Sequence, residues 1–550
     1  MRFFFSIISS RVSTYLISVV WLSTILFSWW FIAPKVDDGI YLYPAITVLH
    51  TLKPGVLLGD SIQPIFFIFP TQPFLHGIFL KILDFFSINI NIETYRLFNY
   101  FLVVSLFYLT HKLFKLIFHQ AQYQRLAFNL TLIILGLSQF SMHFYVNRPE
   151  ILGLVFFVSG LIYFIKSYKA DSNQKFNLFV SFLFFGFAGI VHPNLLLLST
   201  LIIFYVFYNF FKSHSLVYFK YVLSFFLPIL SLLLWFYINL DVVKDQLFNR
   251  VEEVSSNSIF NMPAVKNIFF TITADNNQSL FHNLYLQLHM LTFVATLILL
   301  IYYFIKKENE SNSGLNLSQF FKFLTFSILI LIIFMSSFRP YFLLASFLSI
   351  ISLAFFVTLH VSESLNIKID QLNSKKSYLS FFICLIAFTL PLSLPIFHIG
   401  KIYVSNGSYD NHHNTLKAVR PLIEDDQEIF ITTGQLLPLF SRKISTDILL
   451  FSPPYEEKIH WYFPIADSPS PQFKLLMNED IKRDLNLMQG AIWGSLKKTV
   501  RFDDANKIAC LSLKGSQNYI NLYDPEIIFE DRQNIFLLSD KVVPSIQCLK

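Results

Sequence analysis

Apolar positions along this chain gather into long, nearly charge-free runs at 12–33, 97–117, 126–144, 150–166, 176–191, 194–211, 219–239, 284–305, 319–337, 341–360 and 377–398. Each is near the ~20 residues that a bilayer requires, so the pattern predicts about eleven transmembrane helices. The first connection, 34–96, is too long and too apolar for a plain connector. Residues 40–52 and 73–86 have helix-compatible patterning, and both are expected to lie in the membrane interface plane without spanning. After about residue 400 the pattern changes to charged, loop-rich sequence. Strand-like runs occur at 428–433, 507–513 and 534–538, a helical run at 480–496, and a turn or loop at Ser452-Pro453-Pro454-Tyr455. The expected organisation is a membrane domain over 1–398 and a small α/β domain over 399–550, large enough to hold its own core.

Composition excludes a soluble globule. Of 550 residues, 54% are hydrophobic and only 14% charged, with Phe alone occurring 66 times, more apolar surface than one soluble core can bury. The formal charge of +7 is spread over short loops instead of forming a patch, which argues for membrane topology and against nucleic acid. Arg2 before an apolar run raises the question of a signal peptide. The run 12–33, however, is too long for a signal core and ends in Trp29, Trp30 and Pro34 without a small-x-small cleavage pattern, so it reads as a retained helix.

Counting basic residues in alternate loops sets the expected orientation. One side holds Lys112, Lys115, Arg125, Lys166, Lys169, Lys175, Lys212, Lys220, Lys306, Lys307, Lys368, Lys375 and Lys376; the short loops opposite hold little beyond Lys35, Arg148 and Arg339. The positive-inside rule then puts the N-terminus in the cytoplasm and the C-terminal domain outside. Cys510 and Cys548 fall in that outer domain, where an oxidising compartment permits a disulfide, whereas Cys384 lies in a span. No Cys/His spacing for structural zinc is present.

With that orientation, the residues of chemical interest all face outward. Asp37 and Asp38 follow the first span directly, where charge is costly unless something uses it. Arg148 with Glu150, His192 and Arg339 occupy the same membrane depth. The cytoplasmic loops hold nothing like a nucleotide-binding glycine-rich loop. Each residue also has a plain structural role: Asp37 and Asp38 as caps of a helix starting near Gly39, Glu150 as the acid expected in a first turn after proline, His192 as a hydrogen-bonded residue at a helix break, and Arg148 and Arg339 as interfacial anchors. Residues 240–283 open with Asp241, Asp245, Glu252 and Glu253 interleaved with apolar positions, the spacing of an amphipathic interfacial helix.

Asp37-Asp38-Gly39-Ile40-Tyr41 resembles the Asp-Glu-x-x-Tyr opening of the first outer loop of GT-C glycosyltransferases, in the branch of the protein O-mannosyltransferases and aminoarabinose transferases. Gln72-Pro73-Phe74-Leu75-His76 is similar to that branch's Pro-Pro-Leu-Tyr/His segment, and Arg96-Leu97 to the Arg-Leu at the start of its second helix. Asn147-Arg148-Pro149-Glu150, Val191-His192-Pro193-Asn194 and Phe338-Arg339-Pro340-Tyr341 resemble three further motifs. The chain departs in having His192 where lysine is frequent and Pro340 between Arg339 and Tyr341.

The resemblance implies a mainly α, GT-C-like polytopic protein of a bacterial-type inner membrane. It would transfer a sugar from a polyprenyl-phosphate donor to a lipid, glycan or protein hydroxyl, with inversion. Asp37, with Asp38 beside it, is then the expected base, and Tyr41, Arg148, Glu150, His192 and Arg339 the expected substrate-binding residues. The loop 240–283 becomes a candidate lid. No metal ligands are assigned, although a divalent cation near Asp37 and Glu150 stays open. A transporter or flippase predicts midplane charges and internal repeats, which the sequence lacks; a non-catalytic assembly protein leaves the acidic pair without a use.

Overall fold

A computed structural model describes residues 2–31, 36–58, 61–63, 69–88, 90, 92–137, 144, 148–168, 173–212, 219–240, 295–305, 317–334, 339–365, 400, 414–415, 417–422, 429–431, 448–449, 491–497, 500–512 and 519–541. The chain is an integral membrane protein, mainly helical, with a small strand region near its C-terminus. Among the described residues its helices are α1 (Arg2–Ile8), α2 (Arg11–Phe31), α3 (Val36–Thr51), α4 (Thr71–Phe85), α5 (Ile92–Ile117), α6 (Ala121–Gly136), α7 (Pro149–Ser167), α8 (Gln174–Val191), α9 (Pro193–Lys212), α10 (Phe219–Ile238), α11 (Ala295–Ile305), α12 (Leu317–Phe334) and α13 (Arg339–Leu365). Among the described residues, stretches of five helices are long and apolar enough to cross a membrane: Arg11–Trp29, Thr94–Ile117, Pro149–Ser167, Gln174–Val191 and Tyr221–Ile238. Shorter apolar stretches lie in α9, α11, α12 and α13. The expected span at 377–398 and the expected amphipathic helix and lid at 240–283 fall outside the described residues.

Helix α7 is the centre of the bundle. Buried positions make up 78% of its span, against 28% for α10 at the periphery. Helices this apolar have no hydrophobic drive to leave lipid for one another, so close packing and buried hydrogen bonds must specify the arrangement. Glycines provide the first. A Cβ on Gly160 of α7 would meet the Phe185 ring of α8 at 2.7 Å, and one on Gly153 would meet Leu195 of α9 at 2.4 Å. Side-chain donors provide the second. The Trp21 indole of α2 donates to the Leu132 carbonyl of α6 at 3.1 Å while standing edge-on to Phe107 and Phe144. Arg125 of α6 donates to the Ser9 carbonyl at the α1–α2 junction, 2.6 Å away.

The two helices expected in the first connection pack on each other as α3 and α4, followed by Tyr95 at the start of α5. Between them runs a short antiparallel hairpin, β1 (Val56–Leu58) with β2 (Ser61–Gln63), which the apolar patterning does not reveal. The closest approach is at Gly77, where a Cβ would lie 2.4 Å from the Val48 Cβ and 2.6 Å from the Ala45 carbonyl oxygen. Because backbone cannot yield there, Gly77→Ala should separate α3 from α4 and cost roughly 1–3 kcal/mol. The check is thermal unfolding in lipid nanodiscs; an unshifted midpoint would mean that the helices are held apart already.

Near the C-terminus, β3 (Ile429–Ile431), β4 (Ile448–Leu449), β5 (Ala491–Leu496), β9 (Glu526–Glu530) and β10 (Asn534–Ser539) form a mixed sheet in the order β4-β3-β5-β10-β9. Strands β6 (Val500–Asp503), β7 (Ile508–Ser512) and β8 (Tyr519–Tyr523) form a second, antiparallel sheet. The helix expected over 480–496 is corrected at its end: residues 491–496 are strand, paired with β3 on one side and β10 on the other. Ile492 and Trp493 are successive and both buried, so this inner strand lacks the alternation that marks a half-exposed one. The turn expected at 452–455 lies outside the described residues. Cys510 on β7 is disulfide-bonded, its partner lying outside the described residues.

Asp531 ties the β9–β10 turn. Burial alone would raise its pKa, but donors from the Thr415 hydroxyl, the Asn534 and Gln533 backbone and the Asn534 amide outweigh burial and hold it below the usual carboxylate value. The backbone bonds measure 2.6 Å from Gln533 and 2.7 Å from Asn534. A depressed folded pKa contributes stability above the unfolded value, about 3.9, and that contribution is lost as pH falls through the folded one. Hydrogen exchange across 526–539, corrected for the intrinsic pH dependence of exchange, should therefore show protection that weakens on acidification below about pH 4. Asp531→Asn should start less protected and lose less; identical profiles would rule this account out.

Candidate functional site

Buried polar groups collect where the start of α7 meets the junction of α8 and α9. Arg148 is the residue before Pro149, and the proline ring keeps it extended, at φ −135° and ψ 152°. From that N-cap position its side chain folds over the first helical turn onto Glu150. Nε donates to both carboxylate oxygens, at 3.2 and 3.1 Å, and Nη2 donates to Oε1 at 2.8 Å. Arg148 is 5% exposed and Glu150 1%. Two opposite charges at that burial are tolerable only as a pair, each supplying what water no longer does.

His192 closes the group. Helix α8 stops at Val191 and α9 starts at Pro193, leaving His192 extended between them. The Asn194 backbone N–H donates to His192 Nδ1 at 3.3 Å, so the proton of the neutral ring resides on Nε2, which lies 4.0 Å from Glu150 Oε1. Burial lowers the His192 pKa to about 4; Glu150 opposes that shift and Arg148 adds to it. The ring is thus a neutral donor at pH 7, aimed at a carboxylate. From α3, the Tyr41 ring stands 5.8 Å from the Arg148 guanidinium carbon, within cation–π range. From α4, the Thr71 hydroxyl donates to the Ile190 carbonyl at 2.8 Å, fixing the start of α4 two residues from His192.

Four of the expected residues, Tyr41, Arg148, Glu150 and His192, are therefore together. Asp37 and Asp38 lie in the first turn of α3, with the structure describing their backbone but not their side chains. That helix begins at Val36 and not near Gly39, so the aspartates sit inside the turn, where the helix dipole favours an acid, instead of capping it from outside. Asp37 precedes Tyr41 by four residues, one helical turn on the same side. Arg339 is the first residue of α13, its side chain likewise not described. The expected Glu150 position after a helix-opening proline holds.

Among the described residues no three His, Cys, Asp or Glu side chains stand close enough to hold a metal ion. Both oxygens of Glu150 accept from Arg148.

No family model matches the sequence, and no curated protein does. Solved structures do match in fold. The crystal structure of ArnT from Cupriavidus metallidurans bound to undecaprenyl phosphate superposes with a TM-score of 0.51 at 10% identity, covering 95% of this chain and 96% of that one. The apo state of the same protein gives 0.50 at 12% identity, with 96% and 98% covered. The fold is GT-C. Archaeal AglB from Archaeoglobus fulgidus, in complex with an inhibitory peptide and a dolichol-phosphate, scores 0.49 at 13% identity over 88% of this chain and 70% of that one.

On this GT-C fold the end of the bundle that carries Arg148, Glu150 and His192 also carries the α3–α4 platform. The mutual bonding of Arg148 and Glu150 is the feature that pattern reading treats as two separate candidates. Residues two apart do not face each other on a helix. Here the pair straddles a helix start, and the signal is the Arg-Pro-Glu order itself: an extended residue, a helix-opening proline and a first-turn acid. The Thr71 anchor carries no comparable signal, because its partner is a backbone carbonyl.

Proposed function

We propose that this protein is an inverting membrane glycosyltransferase that moves a sugar from a polyprenyl-phosphate donor to a hydroxyl acceptor at the outer face of a bacterial-type inner membrane. The observation that carries the reading is the buried Arg148–Glu150–His192 group at one end of a GT-C bundle, next to the α3 turn that bears Asp37 and Asp38. The likeness to a structure with bound undecaprenyl phosphate supports the donor class. The basic residues concentrated at the opposite end support a cytoplasmic placement of that end and an outer placement of the site; the disulfide at Cys510 fits an oxidising compartment for the strand region, an α/β domain over 399–550.

In this reaction the Asp37 carboxylate takes the proton of the acceptor hydroxyl as its oxygen attacks the anomeric carbon. The bond from that carbon to the donor phosphate oxygen breaks, and the polyprenyl phosphate leaves with the electron pair. Attack from the face opposite the leaving group inverts the anomeric centre. Arg148, His192 and Arg339 supply cationic or N–H groups for the departing phosphate, Glu150 holds the Arg148 guanidinium in place, and Tyr41 covers its face. Asp38 lies next in the same turn, as the second acid. The acceptor is a lipid, glycan or protein hydroxyl.

The test is transfer by the purified protein in nanodiscs, supplied with a panel of polyprenyl-phosphate sugars and hydroxyl acceptors. Turnover of one donor class with a single inverted product is the expected result. Release of sugar nucleotide or transport of intact donor without bond cleavage would overturn the reading.

A further inference from the structure

Among the described residues the buried acidic and basic side chains are His76, Arg96, Arg148, Glu150 and His192. The last three form the site described above, and the reaction proposed for it leaves His76 and Arg96 unused. A buried ionisable group beside a membrane span is costly and calls for a use. Arg96 lies in the second turn of α5, and its Nη1 donates to the Trp29 carbonyl in the last turn of α2 at 3.1 Å. The Trp29 ring also stacks on Tyr100 of α5, with centroids 6.2 Å apart. The end of α2 is thus held on α5. Helix α2 ends at Phe31 and α3 begins at Val36, with Asp37 its second residue, so whatever holds the one end steadies the other.

His76 holds the same turn of α5 from α4. A carbonyl only accepts, so His76 Nε2 carries the ring proton and donates to the Tyr95 carbonyl at 2.9 Å. Burial, opposed by that bond, lowers the His76 pKa to about 3, so the ring is neutral at pH 7; it stacks on Phe98 at 4.7 Å. Tyr95 in turn packs with Leu42, Ala45 and Ile46 of α3. Asn99 stands three residues after Arg96, a neighbouring position on the same helix face. Its amide donates to the Phe144 carbonyl at 3.0 Å, and Phe144 comes one short stretch before Arg148 in the chain. One face of α5 therefore holds both approaches to the site. We propose that Arg96 and Asn99 are positioning residues of the transfer reaction: from the shared frame of α5 they set the separation between the α3 turn that bears Asp37 and the Arg148 guanidinium. The role in transfer rests on the glycosyltransferase reading above; the two tethers do not. A base and a phosphate-binding group on separate chain segments act on one reacting centre, and a shift of either spoils the alignment of attack.

The experiment combines hydrogen exchange with steady-state transfer on the full chain in nanodiscs. Arg96→Met should speed exchange over 25–31 and 36–42 and leave 148–153 unchanged, and Asn99→Leu should do the reverse. Both should lower kcat by about 10²-fold, the cost of a misplacement near 1 Å, with the donor KM within about twofold of wild type. Arg96→Lys keeps an N–H donor for the Trp29 carbonyl and should regain most of the protection and most of the turnover. Arg125→Gln cuts the arginine–carbonyl bond to Ser9 and should change neither quantity. If Arg96→Met does not fold, Tyr100→Leu loosens Trp29 from the other side and should show the same pattern in weaker form. A raised donor KM at unchanged kcat would make Arg96 a substrate contact and overturn the proposal. Lost turnover without faster local exchange, or faster exchange at wild-type kcat, would overturn it too. A wild type that transfers no sugar from any donor would sink the glycosyltransferase reading instead, and exchange over the two segments would still decide whether α5 holds them.

Discussion

Asp37→Asn is expected to lower sugar transfer by about 10² to 10⁴-fold, the range that a positioned general base contributes, while leaving the thermal midpoint close to wild type. The two parts of this expectation come from different physics. Asparagine keeps the shape and the hydrogen-bonding reach of aspartate and is tolerated in a first turn, although it forgoes the favourable interaction of a negative charge with the α3 dipole, worth roughly 0.3–1 kcal/mol. It cannot accept a proton from a hydroxyl that is becoming a nucleophile, so the loss falls on kcat more than on KM. Asp38→Asn removes the same charge from the same turn and is the natural control. If Asp38→Asn matches wild type while Asp37→Asn fails, electrostatic loss at the helix start cannot be the cause. Wild-type activity in Asp37→Asn would remove that residue from the chemistry and leave Asp38 as the remaining acid of the turn.

Much of the bundle is legible in the sequence because lipid imposes a crude rule. Runs such as 150–166 and 176–191 are long and carry no charge except Glu150 and Lys166 at the two ends of the first, and they return as α7 and α8 almost residue for residue. The site is half legible for a related reason: an ionised or polar residue beside such a run is expensive, so Glu150 and His192 stand out without any knowledge of the fold. What stays hidden is relational. Nothing in the Arg-Pro-Glu order states that the guanidinium will turn back on the carboxylate, and nothing in Pro-Asn after His192 states that the Asn194 N–H will set the imidazole tautomer. The strand region is least legible. Ala491 to Leu496 carries apolar residues with no period, and only pairing with β3 and β10 makes it a strand; Gly494, whose missing Cβ would meet the Phe536 ring at 2.7 Å, looks in isolation like a weak point in a helix.

The Arg148–Glu150 pair yields the second large effect, and a double substitution separates structure from function. Glu150→Met alone should cost roughly 3–5 kcal/mol, because it leaves the guanidinium buried without its carboxylate; Arg148→Met should cost a similar amount from the other side. Neither loss measures the value of the intact pair. Removing both charges with residues of similar volume returns an apolar contact to an apolar setting, so Arg148→Met/Glu150→Met should unfold closer to wild type than either single variant. Transfer activity then decides the role of the pair. A double variant that regains stability but remains inactive shows that the guanidinium serves the departing phosphate and that Glu150 acts through it as a positioning residue. A double variant that regains both stability and turnover makes the pair a packing device and shifts phosphate recognition to His192 and Arg339. Thermal unfolding and single-turnover transfer on the same four proteins read both answers, and a double variant less stable than either single would refute the account of two mutually dependent buried charges.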